Sequence, residues 1–101
     1  TAVFSPAQAL VACEAGVSFI LPYVNRATTL LGDGLHLVND IRRVVDETGS
    51  GTEIIAASIK SINEAVDTLF AGAHHLTLPL ALIQEMGENK FSQQAILDFN
   101  L

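Results

Sequence analysis

The chain has 101 residues, enough for one domain with a modest core but short of the roughly 200 or more that a closed eight-stranded α/β barrel takes. Half of the residues are apolar and 16% are charged, and five Lys plus Arg leave a net charge of −6; this excludes a disordered segment and any general affinity for nucleic acid or anionic membranes, which need clustered positive charge. The single Cys13 excludes an internal disulfide, and no apolar run has the length of a membrane span or the basic start of a signal peptide, so a reducing cytoplasm is the expected compartment.

The sequence opens without Met on the strand-like Thr1-Ala2-Val3-Phe4, which has the look of a cut made inside a domain. Ser5-Pro6-Ala7-Gln8 combines a hydroxyl N-cap, a Pro at the first helical position and a Gln at the third, and so predicts a helix start. That helix runs to Ala15, where Gly16 ends it. Val17 to Pro22 is a short apolar run with the non-alternating look of a buried parallel strand. A loop is expected over Ala27 to Gly32. Asp33 then caps a helix on which Leu35, Val38, Ile41 and Val45 share a face, and Gly49-Ser50-Gly51 stops it. Glu53 to Ser58 reads as a strand, and Ser61 with Glu64 forms a capping box for a helix ending at Gly72. Ala73 to Leu80 gives a last strand, with Gln84 onward helical in two pieces.

The order is therefore βαβαβαβα in one unit. Short right-handed crossovers make consecutive strands parallel neighbours with helices on the outer face. Ala15-Gly16 and Ala71-Gly72 each close a helix before a strand leading to Leu-Pro, at Pro22 and Pro79, a weak internal repeat. Four such units make half of an eight-fold barrel, and a sheet of four greasy strands left alone would have two unpaired edges and a bare inner face.

Two polar clusters interrupt the apolar pattern. Tyr23 and Arg26 follow the run ending at Pro22, and Ser58-Ile59-Lys60-Ser61 follows the next strand. Carboxyl ends of parallel strands meet around one cavity, so a shared site for an anion is expected. Taken singly, Tyr23 also fits a half-buried residue with a wet hydroxyl, Arg26 a solvated loop charge and Ser58 a helix-leading hydroxyl. His74-His75 invites a metal, but neighbours on a strand point to opposite faces. Arg42-Arg43, beside Asp40 and Asp46, reads as a solvated helix face with ordinary ion pairs, and Cys13 as small core filling.

Thr1-Ala2-Val3-Phe4, Gln8, Pro22-Tyr23-Val24-Asn25-Arg26, Gly32-Asp33-Gly34, Ala56-Ala57-Ser58-Ile59-Lys60 and Leu76-Thr77-Leu78-Pro79-Leu80 resemble the carboxyl-terminal half of small transaldolase-like proteins of the fructose-6-phosphate aldolase type. The resemblance covers essentially the whole chain. It implies strands five to eight of a (β/α)8 TIM barrel with class I aldol chemistry, acting without a cofactor or metal on a ketone donor such as dihydroxyacetone and a phosphorylated aldehyde. It implies that Tyr23 is the general acid/base, that Thr1 orients the catalytic water and that Arg26 and Ser58 hold the substrate phosphate. A phenol in water ionises at about pH 10, so such a role asks for an environment that favours the ionised form, or for a water relay. Related transaldolases typically carry Phe at the position of Tyr23, which tilts the resemblance toward the aldolase.

The family's Schiff-base lysine lies on the fourth strand, and the only lysines here are Lys60 and Lys90. Lys60 matches a family lysine beyond the phosphate serine that is not the nucleophile, so the chain by itself is expected to be inactive. The resemblance also assigns the terminal stretch Phe91 to Leu101 to subunit contacts in a homo-oligomer. Three functions follow: an aldolase cleaving fructose 6-phosphate to dihydroxyacetone and glyceraldehyde 3-phosphate, a transaldolase of the pentose phosphate pathway, or a non-catalytic phosphosugar-binding half-barrel.

Overall fold

The computed structural model describes residues 2–100. Its elements are β1 (Ala2–Val3), α1 (Pro6–Glu14), β2 (Phe19–Pro22), α2 (Val24–Leu31), α3 (Gly34–Thr48), β3 (Glu53–Ala56), α4 (Ile62–Ala71), β4 (His75–Leu76), α5 (Leu80–Gly87) and α6 (Lys90–Asn100). The four strands form one parallel sheet in sequence order, with Val3 opposite Pro22, Ile20 opposite Ile54 and Ala56 opposite Leu76. This is the expected α/β arrangement of consecutive parallel neighbours.

Helix starts follow from local chemistry. Ser5 Oγ accepts the Gln8 N–H, and the Gln8 side chain reaches back to accept the Phe4 N–H. Ser61 and Glu64 repeat the arrangement at α4, with Glu64 accepting the Lys60 N–H. Each side chain thus satisfies an amide that the helix leaves without a partner. Asp33 caps α3 by accepting the His36 N–H at 3.0 Å.

The core lies on one side of the sheet. Val3, Ile20, Ile54 and Ala56 are buried, packed in one cluster with Ala9 and Cys13 of α1, with Leu37, Val38, Ile41 and Val45 of α3 and with Ala65 of α4. Three of the four residues expected on the α3 face are fully in that core, while Leu35 packs at its margin and Leu37 joins it. Alternate strand positions behave differently: Phe19 is 44% exposed, and Leu21 and Ile55 are only half-buried. A sequence with no apolar alternation therefore shows alternating burial, because only one sheet face is covered.

Two expectations are corrected. The stretch Ala27 to Gly32, expected as a loop, lies mostly in helix α2, which ends on Gly32 at φ 98°. Thr28 and Thr29, poor helix formers, bond back to the carbonyls of Val24 and Asn25, and burial of Val24 and Ala27 outweighs their low propensity. The last strand, expected over Ala73 to Leu80, is reduced to His75 and Leu76, and α5 begins at Leu80 rather than Gln84. The segment has a partner on one side only, and Pro79 brings no amide to extend a ladder.

Helix α6 buries no residue, and Phe91 and Phe99 are 75% and 91% exposed. The radius of gyration is 16.5 Å, against about 13 Å for a compact chain of this length. Among the described residues no helix is long and apolar enough to cross a membrane.

Candidate active site

The first turn of α2 follows β2 without a linker, because Tyr23 is both its N-cap and the partner of Ala57 in an isolated parallel bridge. That bridge sutures the chain after β2 to the chain after β3. Val24 N–H donates to the Ala57 carbonyl at 2.9 Å, Asn25 N–H to the Ser58 carbonyl at 2.7 Å and Arg26 N–H to Ser58 Oγ at 3.2 Å. The leading amides of α2 are therefore engaged by the chain after β3 and are not free to meet an anion. Ser58 itself holds a left-handed backbone, φ 59°, which a non-glycine residue adopts at a cost.

Around this suture the polar residues gather. Phe4 packs edge-on against the Tyr23 ring with centroids 6.0 Å apart, and the Arg26 guanidinium lies 5.2 Å from the Tyr23 centroid, within cation–π range. Tyr23 and Ser58 are half-buried, whereas Arg26 and Lys60 reach solvent. An open cavity of about 410 Å³ is lined by Asn25, Arg26, Thr29, Leu30, Ser58 and Lys60. Among the described residues neither cation of this cavity forms an ion pair. Two uncommitted positive charges and a hydroxyl on one concave surface suit a small multivalent anion.

Of the sequence-assigned residues, Tyr23, Arg26 and Ser58 are thus brought together, and Thr1 lies outside the described residues. Asn25 and Glu64 were not singled out for the site. Glu64 was legible only as half of a capping box, and nothing local shows that its second oxygen accepts from Asn25 at 3.3 Å.

A model of the family described as Transaldolase/Fructose-6-phosphate aldolase matches residues 1–99. The chain belongs to that family. Over 99 residues it is 38% identical to a probable transaldolase of Roseobacter denitrificans and 37% identical to one of Symbiobacterium thermophilum; each match covers 98% of this chain and 46% of the relative. A probable transaldolase of a Ruegeria species is 40% identical over 96 residues, 95% of this chain and 44% of the relative. The chain spans about half the length of these relatives. In the transaldolase/fructose-6-phosphate aldolase family the resemblance read from the motifs is accordingly correct, and the four-stranded parallel sheet fits a part of a TIM-barrel-like fold.

The other polar clusters lie elsewhere. A hollow of about 530 Å³ between α1 and α3 is lined by Pro6, Leu10, Arg43 and the carboxylates of Asp40, Asp46 and Glu47, a poor setting for an anion. Arg42, expected on a solvated face, pairs with Asp46 at 3.0 Å but also donates to the Gly72 carbonyl at 2.8 Å and is half-buried. The Ile54 N–H donates to His74 Nδ1 at 2.9 Å, while His75 Nε2 meets Glu53 at 3.3 Å. Among the described residues no group of three or more metal-ligating side chains gathers.

Proposed function

We propose that the protein containing this chain is a class I aldolase of the fructose-6-phosphate aldolase type, of which these residues supply strands five to eight. The observation that supports it best is the convergence of Tyr23, Arg26 and Ser58 on the rim at the carboxyl ends of β2 and β3, the location of active sites in (β/α)8 barrels. Arg26 and Ser58 grip the phosphate of the substrate, the guanidinium through its forked donors and the hydroxyl as a donor that still accepts the Arg26 amide. Tyr23, with its ring wedged between Phe4 and the Arg26 guanidinium, transfers the proton during carbon–carbon cleavage and formation. Thr1 orients the catalytic water. The Schiff-base amine is assigned to a part of the protein outside this chain, since Lys60 matches a family lysine that is not the nucleophile and lines the anion cavity beside Arg26 and Ser58. The enzyme works in the cytoplasm on sugar phosphates without a cofactor, as a homo-oligomer in which α6 contacts a neighbouring subunit.

Transaldolase activity is the second reading, and the names of the relatives favour it. The test is to incubate the full-length protein with dihydroxyacetone and borohydride, which reduces the imine formed with loss of water to a stable amine, and to locate the adduct by mass spectrometry. An adduct on a lysine outside this chain is expected; an adduct on Lys60, or none, overturns the assignment. Cleavage of fructose 6-phosphate without transfer to erythrose 4-phosphate identifies the aldolase, and efficient transfer the transaldolase. Tyr23→Phe is expected to lower aldol cleavage by at least about 100-fold, the scale of a lost general acid/base.

A further inference from the structure

The two helices that carry the site are joined by one carboxylate whose second bond has no local reason. In a capping box the side chain of the third helical residue serves the helix start, and Glu64 Oε1 does so by accepting the Lys60 N–H at 2.7 Å. Gln8 does the same for Phe4 in α1, so that bond belongs to helix initiation. The other oxygen does not: Glu64 Oε2 accepts from Asn25 Nδ2 across 39 positions of sequence. Asn25 sits between Tyr23 and Arg26 in the first turn of α2, and Lys60 leads directly into the cap of α4. Each end of the link is anchored in the core, by Val24 and Ala27 on one side and Ala65 and Thr68 on the other, all of them fully buried. The same carboxylate therefore fixes the backbone of Lys60 and the turn bearing Arg26, the two cations of the anion cavity. Both side chains of the link are only half-exposed, which strengthens a charge-assisted bond relative to one in bulk water.

We infer that Glu64 is a positioning residue for phosphate recognition, setting the spacing of Arg26, Ser58 and Lys60 through its bond to Asn25. The inference rests on the phosphate-site reading above. It opposes a simple charge argument, under which a carboxylate beside an anion site repels the anion and its removal tightens binding.

The test uses the full-length protein and compares Glu64→Ala, Glu64→Gln and Asn25→Ala, with Arg26→Ala as the control for the site. Asn25→Ala leaves the start of α4 intact, so it decides the matter if Glu64→Ala folds poorly. Glu64→Gln can keep both bonds, because a flipped Asn25 amide offers its oxygen to the new amide nitrogen. The expected result is a rise of about tenfold in KM for the phosphorylated acceptor in Glu64→Ala and Asn25→Ala, equivalent to one charge-assisted hydrogen bond. The corresponding non-phosphorylated aldehyde and kcat change little, Glu64→Gln stays near the parent, and amide exchange at Asn25 and Arg26 quickens in both alanine variants. Unchanged exchange, equal losses on both acceptors, or tighter phosphate binding in Glu64→Gln would each overturn it. If Arg26→Ala shows no loss specific to the phosphorylated acceptor, the phosphate-site reading falls first, and the role of Glu64 in it falls as well.

Discussion

Ser58 shows how a single residue can be held against its own preference. A left-handed backbone costs a non-glycine residue about 1–2 kcal/mol, yet the chain keeps a hydroxyl at φ 59° where glycine would sit freely. Ser58→Ala and Ser58→Gly both remove the acceptor of the Arg26 amide, but only glycine relieves the strain. Chemical denaturation of the full-length variants is expected to find Ser58→Gly more stable than Ser58→Ala by about 1 kcal/mol, while both lose preference for a phosphorylated acceptor. Equal stabilities would mean that the conformation carries no strain. His74 is a second case. Burial first, and then the Arg42 guanidinium, lower its pKa from the usual 6.5, against smaller opposing effects of Glu53 and Asp46. Nδ1 accepts the Ile54 amide only while unprotonated. The unfolded chain then binds more protons than the folded one, so this contribution is complete above about pH 6.5 and is lost as pH falls through the lowered folded value. His74→Asn, which can accept the same bond without titrating, is expected to flatten the dependence of the denaturation midpoint between about pH 7.5 and pH 5. Tyr23 and Arg26 stood out in the sequence because they break an apolar run. The strain at Ser58 left no such trace, since it arises from bonds to a turn more than 30 positions away.

At the scale of elements, caps were the legible part. Ser5, Asp33 and Ser61 each accept the amide three residues on, as their spacing with Gln8, His36 and Glu64 predicts. Helix α2 was not legible, because its stability comes from burial of Val24 and Ala27 in the shared core, where α2 packs against α3. Its junction with α3 is equally tertiary in origin. A Cβ on Gly34 would overlap the Val24 carbonyl oxygen and approach Thr28 Oγ1 to 2.7 Å, while the Gly34 N–H already donates to that hydroxyl at 2.9 Å. Gly34→Ala, although favourable by helix propensity, is therefore expected to destabilise the protein by about 1–3 kcal/mol through overpacking, and a stabilised variant in thermal or urea unfolding would contradict the close approach. Asp33→Ala, losing only a cap, should cost about 1 kcal/mol.

At the scale of the molecule, the open inner face of the sheet and the bare helix α6 dominate. Phe19, Leu21 and Ile55 face away from the helical layer, and β1 and β4 are both edges. The isolated 101-residue chain is expected to self-associate or bind a hydrophobic dye in sedimentation and fluorescence measurements, whereas the full-length protein should do neither through this face. Fully burying Phe91, Ile96, Leu97 and Phe99 would yield on the order of 1.5–3 kcal/mol each before entropic costs. The proposed subunit contact through α6 therefore predicts that deleting residues 90–100 from the full-length protein lowers its sedimentation mass, and an unchanged mass would overturn that contact. By itself the sequence determined the succession of strands and helices apart from α2, the helix caps, most of the buried face of α3 and the family, because all of these are written in local spacing and order. Only the tertiary structure decided that α2 is a helix, that its leading amides are taken, and that Glu64 links the turn of Arg26 to that of Lys60. Those outcomes depend on contacts between residues far apart in the chain, whose energies outweigh local propensity and leave no periodic signal.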